Sequence, residues 1–398
     1  MRTTEGTGAR QSTLRSSNLA LVLRTVCAAD GPLSRADVAV RTGTTRATAA
    51  RLVDELVAGG LLDEGERLAP PRRGRPATPL LPGARIGALG LQVDAGLLAA
   101  RLLDLRGRVV AERVEEDDLV GSDPARTLAR LGALATDLLA GPAGELRLAG
   151  AGLALPGLVD VERHLLLRAP NLGWSDVDAV GLLAAHLPDG LRPVPGNEAD
   201  LAARTVAETA PGRPGPMRDF LYLSGQIGIG GAAVVGGQVM TGSAGWAGEV
   251  GHVCVDPDGP PCRCGSTGCL EQYAGRHALL AAAGLPLDTA PAEVVARASA
   301  GDADVRRALD AAARALGVAL AGVVNVLDLP AVVLGGHLAA LAGPLRPPLE
   351  ELLGRRVLSA RWRRPVVAAV TGPPAAGATG AALRALGDVL ADPVRRLG

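Results

Sequence analysis

The sequence predicts an α/β protein in two unequal parts: a small helical module edged by a β-hairpin, then a body of two similar α/β lobes. Three observations predict this. Residues 18–70 repeat apolar side chains at helical spacing between turn signals and end in a short strand pattern. A basic, Gly/Pro-rich stretch over 71–84 follows and reads as a linker. From Arg85 onward, strand meanders followed by helices occur twice, which divides the body into 85–195 and 196–398, the last helix being a candidate to return to the first lobe.

Within the first part, helix one is expected over about Asn18–Ala29, where Leu19, Val22, Leu23 and Val26 share a face and the turn DGP ends the run. Residues 1–17 lack such a stripe and are expected to be flexible. In LSRADVAVRTG, Ser34 and Asp37 have capping-box spacing and Gly43 closes the second helix. Thr45 is the expected N-cap of a third helix with Ala49, Leu52, Val53 and Leu56 inward. That leaves Ala47, Thr48, Ala50 and Arg51 outward, with Arg46 near the N-terminal end. Small residues let a backbone approach a DNA groove, while Arg and Thr reach base edges and phosphates. A plain three-helix bundle is the alternative. The stretch LLDEGERLAPPRRGRPATPLLP adds a β-wing and makes the module a winged helix-turn-helix; Arg72, Arg73 and Arg75 around Gly74 suit an arm for a narrow minor groove. The expected DNA contacts are thus Thr45, Arg46, Thr48, Arg51, Arg72, Arg73 and Arg75. Residues 1–82 hold 12 Arg against 8 Asp and Glu, a net of +4 in a chain whose total charge is zero.

In the body, IGALGLQV, LLAARLLDLRG and RVVAERV form the first meander, followed by a helix over Pro124–Ala140 and the strand LRLAGAGLALPG. RDFLYLSG, IGGAAVV and GGQVMTG form the second, followed by helices over Asp302–Val324 and His337–Leu353 and the strands PAVVLGG and RPVVAAV. Two lobes of this kind suggest the duplicated, ribonuclease H-like architecture of actin-like sugar kinases, with a ligand cleft between them.

Composition sets the outer limits. With 48% hydrophobic residues in 398, the chain can bury the cores of two or three domains. No apolar run approaches the roughly 20 residues of a membrane span, and the N-terminus lacks a signal-peptide apolar region, so a cytoplasmic protein without membrane contact is expected. There is no lysine, which excludes a GxxxxGK[ST] phosphate loop. Of five cysteines, Cys27 reads as core packing. The other four fall in GHVCVDPDGPPCRCGSTGCLEQYAG, residues 251–275. His252, Cys262, Cys264 and Cys269 give H-x9-C-x-C-x4-C, bent by Gly and Pro so that the donors can converge, and three thiolates with one imidazole make a structural zinc set. A redox Cys-x-Cys pair is the alternative. Cys254, read as lying on the strand of His252, is not called for by the motif.

AGEVGH followed by CRCGSTGCLEQYAG resembles the signature of the ROK family (repressors, open reading frames and sugar kinases). The segments GRP, GLALPGLVD, APNLGW, PGNEADLAA and VVLGG fall in the order that family would place them. The resemblance implies a winged helix-turn-helix joined to a kinase-like body, and a sugar site of Asn197, Glu198, Glu249, His252 and Glu271. Carboxylates and an amide can each take vicinal hydroxyls, and a metal-held imidazole points in a fixed direction. Kinases of the family need an Asp after that Asn as general base; here Glu198 stands there, and one extra methylene misplaces the carboxylate. Where they carry Asp-x-Gly-Gly-Thr, this chain has Gln92 and then Asp94, Ala95 and Gly96, and SGQIGIGG lacks a Thr. The chain is therefore expected to be a sugar-responsive regulator, acting on a pseudo-palindromic operator as a homodimer or tetramer, with no catalytic residue and no ATP. An active sugar kinase, or a regulator controlled by a protein partner, is the alternative.

Overall fold

In the computed structural model, residues 5–66, 78–141, 146–188 and 190–397 are described. Three helices, α1 (Glu5–Cys27), α2 (Arg35–Thr42) and α3 (Arg46–Ala58), precede an antiparallel pair, β1 (Leu62–Glu64) with β2 (Leu80–Pro82). The local chemistry follows the sequence. Ser34 and Asp37 cap each other's backbone, Gly43 takes the left-handed conformation that ends α2, and Thr45 accepts the Thr48 N–H at 3.2 Å. Ala49, Leu52, Val53 and Leu56 are fully buried.

Two expectations change here. The helix α1 begins at Glu5, inside the segment expected to be flexible. Arg15 pairs with Glu55 of α3 and Ser16 Oγ donates to Asp392 at 3.4 Å, so polar contacts rather than an apolar stripe tie this part down. The strand β2 lies inside the expected linker: Leu80 is buried, and its N–H donates to the Leu33 carbonyl at 2.8 Å. Arg72, Arg73 and Arg75 lie outside the described residues.

The first lobe contains β3 (Ile86–Asp94), β4 (Leu97–Asp104), β5 (Val109–Glu116), α4 (Pro124–Ala140), β6 (Arg147–Leu155), a small sheet of β7 (Leu158–Asp160), β8 (Leu165–Ala169) and β9 (Trp174–Val177), then α5 (Ala179–Ala184) and β10 (Val194–Asn197). After α6 (Glu198–Ala207) and the short pair β11 (Glu208–Ala210) and β12 (Arg213–Pro214), the second lobe contains β13 (Phe220–Gly225), β14 (Ile229–Val235), β15 (Gln238–Val239), α7 (Glu271–Ala274), α8 (Arg276–Ala282), α9 (Pro291–Ala300), α10 (Ala303–Leu327), β16 (Ala331–Leu334), α11 (Gly336–Ala340), α12 (Ala342–Arg356) and β17 (Val366–Ala369); α13 (Ala376–Ala391) ends the body. The sheets run β5-β4-β3-β6-β10 and β15-β14-β13-β16-β17. In each, an antiparallel meander is extended by two parallel strands, so one topology occurs twice. The expected boundary after residue 195 cuts through β10, which belongs to the first sheet because it pairs with β6. The expected helix His337–Leu353 breaks at Leu341 into α11 and α12.

The helix α13 packs across β3, β4 and β6 and against α6. Its Leu386, Val389 and Leu390 share one apolar core with Leu19, Val22 and Leu23 of α1 and with Ile86 and Leu103 of the first lobe. Each such side chain contributes roughly 1.5–3 kcal/mol on burial. The N-terminal module is therefore packed onto the body rather than hung from it. Arg106 adds polar contacts to the wing, donating to the Pro82 carbonyl at 2.8 Å and pairing with Asp63 at 2.7 Å. Among the described residues, α10 is the one helix long and apolar enough to cross a membrane, and its Leu316, Leu320 and Val324 lie in the second lobe's core.

Candidate functional site

The residues of the crowded stretch meet. His252 ends a single 3-10 turn, Val250–His252, and not the strand expected for residues 252 to 254. Cys262, Cys264 and Cys269 come from the Gly/Pro-rich loop that follows. Gly268 sits at φ 61 with the Asp256 carbonyl 1.6 Å from where a Cβ would be, so only glycine lets the loop fold back. The four donor atoms lie within 4.8 Å of one another. His252 Nδ1 is 3.8 Å from Cys262 Sγ, and Cys264 Sγ is 3.7 Å from Cys269 Sγ. Donors about 2.0–2.3 Å from a common tetrahedral centre would be separated by such distances. Gln272 Nε2 approaches Cys262 Sγ at 3.5 Å, a donor for a thiolate. A quartet of this chemistry can hold a metal ion. Cys254 is exposed and outside it, and Cys27 is buried in the N-terminal module's core.

Beside the quartet lies a cleft between the lobes, lined by Asp94, Asn171, Asn197, Glu198, Glu249, His252 and Glu271, among others. All five residues of the expected sugar site therefore line one space. With Nδ1 toward the quartet, His252 has Nε2 3.9 Å from Glu249 Oε2. Glu271, which opens α7, accepts the Ile229 N–H at 3.0 Å and an Asn171 Nδ2 hydrogen at 3.3 Å through Oε2. Its other oxygen takes no hydrogen bond among the described residues. Gly228 makes room for this carboxylate, since a Cβ there would stand 2.0 Å from Oε2. Asn197 is more committed than the sequence suggested: its Oδ1 caps α6 by accepting from Ala199 and Asp200, and Nδ2 donates to the Gly157 carbonyl at 3.0 Å.

In the same cleft, Glu198 is buried and accepts from Ser224 Oγ at 2.8 Å, while Asp94 accepts the Ala95 N–H at 2.5 Å. Burial first, and then the charge of Asp94, push the Glu198 carboxyl up to about 8. Burial also raises Asp94. Gln92 is fully buried and accepts the Ala378 N–H of α13 at 2.9 Å. Sequence reasoning missed Asn171 and Ser224 as members of the site. The first was carried by the APNLGW segment; the second had no local signal, because β13 brings it to Glu198 from 26 residues away.

In the N-terminal module, Thr45, Arg46 and Arg51 are exposed and Thr48 is half-buried on α3. Neither Arg46 nor Arg51 has an ion-pair partner among the described residues, and both guanidinium groups are open to an anionic partner.

A winged-helix module on a two-lobed, sugar-kinase-like body defines a class, and the comparisons place the chain within it. A ROK family profile matches residues 118–387 and a MarR family profile residues 20–75; the chain belongs to the ROK family. The xylose repressor of Caldicellulosiruptor bescii is 27% identical over 369 residues, which cover 88% of this chain and 90% of that one. An N-acetylmannosamine kinase of Salmonella typhi is 30% identical over 315 residues, 99% of its own length but 76% of this chain. A solved ROK family transcriptional regulator, a homologue of the Escherichia coli MLC protein, shares the fold with a TM-score of 0.77 over 96% of this chain and 99% of its own, at 24% identity.

Proposed function

We propose that this chain is a sugar-responsive, DNA-binding transcriptional repressor whose kinase-like body binds a carbohydrate without phosphorylating it. The observation that carries this is the floor of the cleft. A general base must be ionised and placed against the attacking hydroxyl. Here the candidate base, Glu198, is buried, and burial together with the Asp94 charge outweighs the Ser224 hydrogen bond and pushes its carboxyl up to about 8, which favours the protonated form. Asp94 stands where the family's kinases admit phosphate, and its carboxyl would repel one. The relatives support the same reading, since a repressor matches through both parts of the chain and the kinase does not.

The sugar site comprises Glu249, Glu271 and His252, with Asn197 and Glu198 behind them. The quartet His252, Cys262, Cys264 and Cys269 suits a structural zinc ion, because all four tetrahedral positions are taken by protein and none is left for chemistry. When bound, that ion fixes the imidazole of His252, and with it the edge of the sugar pocket. Thr45, Arg46, Thr48 and Arg51 enter a major groove, with Arg72, Arg73 and Arg75 on the backbone or in the minor groove. A homodimer presents two such helices about 34 Å apart to a pseudo-palindrome. The work on DNA places the protein in the cytoplasm.

Sugar binding is expected to lower operator affinity by about 1–3 kcal/mol, roughly 5–150-fold in Kd. Titrating the operator complex against a sugar panel measures this. An operator Kd that no sugar moves, or brisk hexose-dependent ATP consumption by the pure protein, contradicts the reading.

A further inference from the structure

A second space opens on the other side of Asn197. It is a groove of about 620 Å³ between α6, the β7 turn, the loop after β15 and Arg384 of α13, whereas the cleft that carries the sugar-reading groups encloses about 60 Å³. Small-molecule sites run to about 300–1,000 Å³, so the groove falls in that range and the cleft alone does not. The two spaces share the Asn197 wall.

The groove is built for hydroxyls. Among the described residues, Asp200 Oδ1 is buried there without a hydrogen-bond partner, and buried Glu208 Oε2 has only the ion-pair contact with Arg204 Nε at 3.9 Å. An unsatisfied buried acceptor costs about 1–3 kcal/mol, and a small turn of the Asp200 carboxyl toward the groove would let a ligand hydroxyl recover it. Arg204 and Arg384 supply donors beside them, Arg384 being anchored on the Pro195 carbonyl at 3.0 Å. Trp246 stands at the rim with 43% of its surface open, an indole face on which the apolar face of a sugar ring can lie.

We propose that the groove takes the second unit of an extended carbohydrate, so that the effector is a glycoside or oligosaccharide with its first ring in the cleft, rather than a free monosaccharide. This rests on the reading of the cleft as a sugar site. It also gives the ligand a direct contact with α13, through Arg384, on the helix whose C-terminal half lies in the core of the DNA-binding module.

Calorimetry on the full-length, metal-replete protein with matched pairs tests it: xylose and xylobiose, glucose and cellobiose or maltose, N-acetylglucosamine and chitobiose. At least one disaccharide is expected to bind about tenfold or more tighter than its own monosaccharide, a gain of one well-packed ring contact. Trp246→Ala is expected to remove that gain while leaving the monosaccharide Kd within about twofold. Asp200→Asn, which keeps the side chain's shape, is expected to weaken the disaccharide alone, so the result does not depend on the tryptophan variant folding. Equal affinities within every pair, or a disaccharide preference untouched by both substitutions, overturns the groove assignment and leaves the sugar reading standing. No binding by either member of any pair overturns both.

Discussion

Beside the Cys/His quartet, Glu271 has one oxygen held by the Ile229 N–H and Asn171 and the other unpartnered among the described residues, and Glu249 stands beside the imidazole of His252. Elsewhere in the same cleft, Asp94 and Glu198 are both buried, and the charge of Asp94 raises the pKa of Glu198. Each of these is a pair of carboxyl groups. What separates them is support: Glu249 and Glu271 flank the loop that carries the Cys/His quartet, while Glu198 is buried with Asp94 and its carboxyl is pushed up. The proposed reading, binding without transfer, fits this difference, because ligand recognition needs acceptors and phosphoryl transfer needs an ionised base and a path for phosphate.

The strongest way to break the contrast is to remove a donor from the quartet. Cys264→Ser is expected to release the bound metal and to cost on the order of several kcal/mol of stability in the body, because metal binding and folding of the loop are one equilibrium. Elemental analysis and thermal melts read this. Full metal occupancy in the variant would remove Cys264 from the quartet, and intact sugar binding by a metal-free variant would detach the loop from the sugar wall. The next largest effect belongs to Glu249→Ala. Losing hydrogen bonds to a charged group costs about 1.5–3 kcal/mol, so the sugar Kd is expected to rise roughly 10–150-fold, with operator binding in the absence of sugar unchanged. Regulation that survives Glu249→Ala would favour a protein partner over a sugar.

How much of this was legible in the sequence divides along the same line as local and distant chemistry. The caps at Ser34 and Thr45, the glycine stop at Gly43 and the metal quartet are short-range devices whose donors and acceptors lie within a few residues or one loop, and residue spacing exposes them. The two matching sheets were legible because strand meanders are sequence-local. The start of α1 was not, since its ties run to Glu55 and Asp392. The return strand β2 was hidden by the Pro/Arg texture around it, although Leu80 was there to be buried. Asp94 and Glu198 were each singled out, but as separate defects. Their joint burial depends on β3 and α6 meeting in space, and no spacing rule shows that.

The finest test of the contrast lies in that pair. Glu198 has an ordinary value of 4.5, raised to about 8 in the folded protein by burial and the neighbouring Asp94 charge. Below 4.5 both folded and unfolded chains hold the proton and the group contributes nothing to pH dependence. Between 4.5 and about 8 the unfolded chain ionises while the folded one does not, so the unfolded state binds fewer protons and stability falls as pH rises. Above about 8 the penalty is complete. Gln at position 198 has no proton to lose and can still accept from Ser224 Oγ. Glu198→Gln is therefore expected to match the wild type near pH 4.5 and to gain stability steadily toward pH 8, by on the order of 1–3 kcal/mol. Melting temperatures of the two proteins across that range measure the gap. If the gap does not widen with pH, or if the variant becomes less stable at pH 8, Glu198 is ionised in the folded cleft, and the two carboxyl pairs no longer differ in the way that separates binding from transfer.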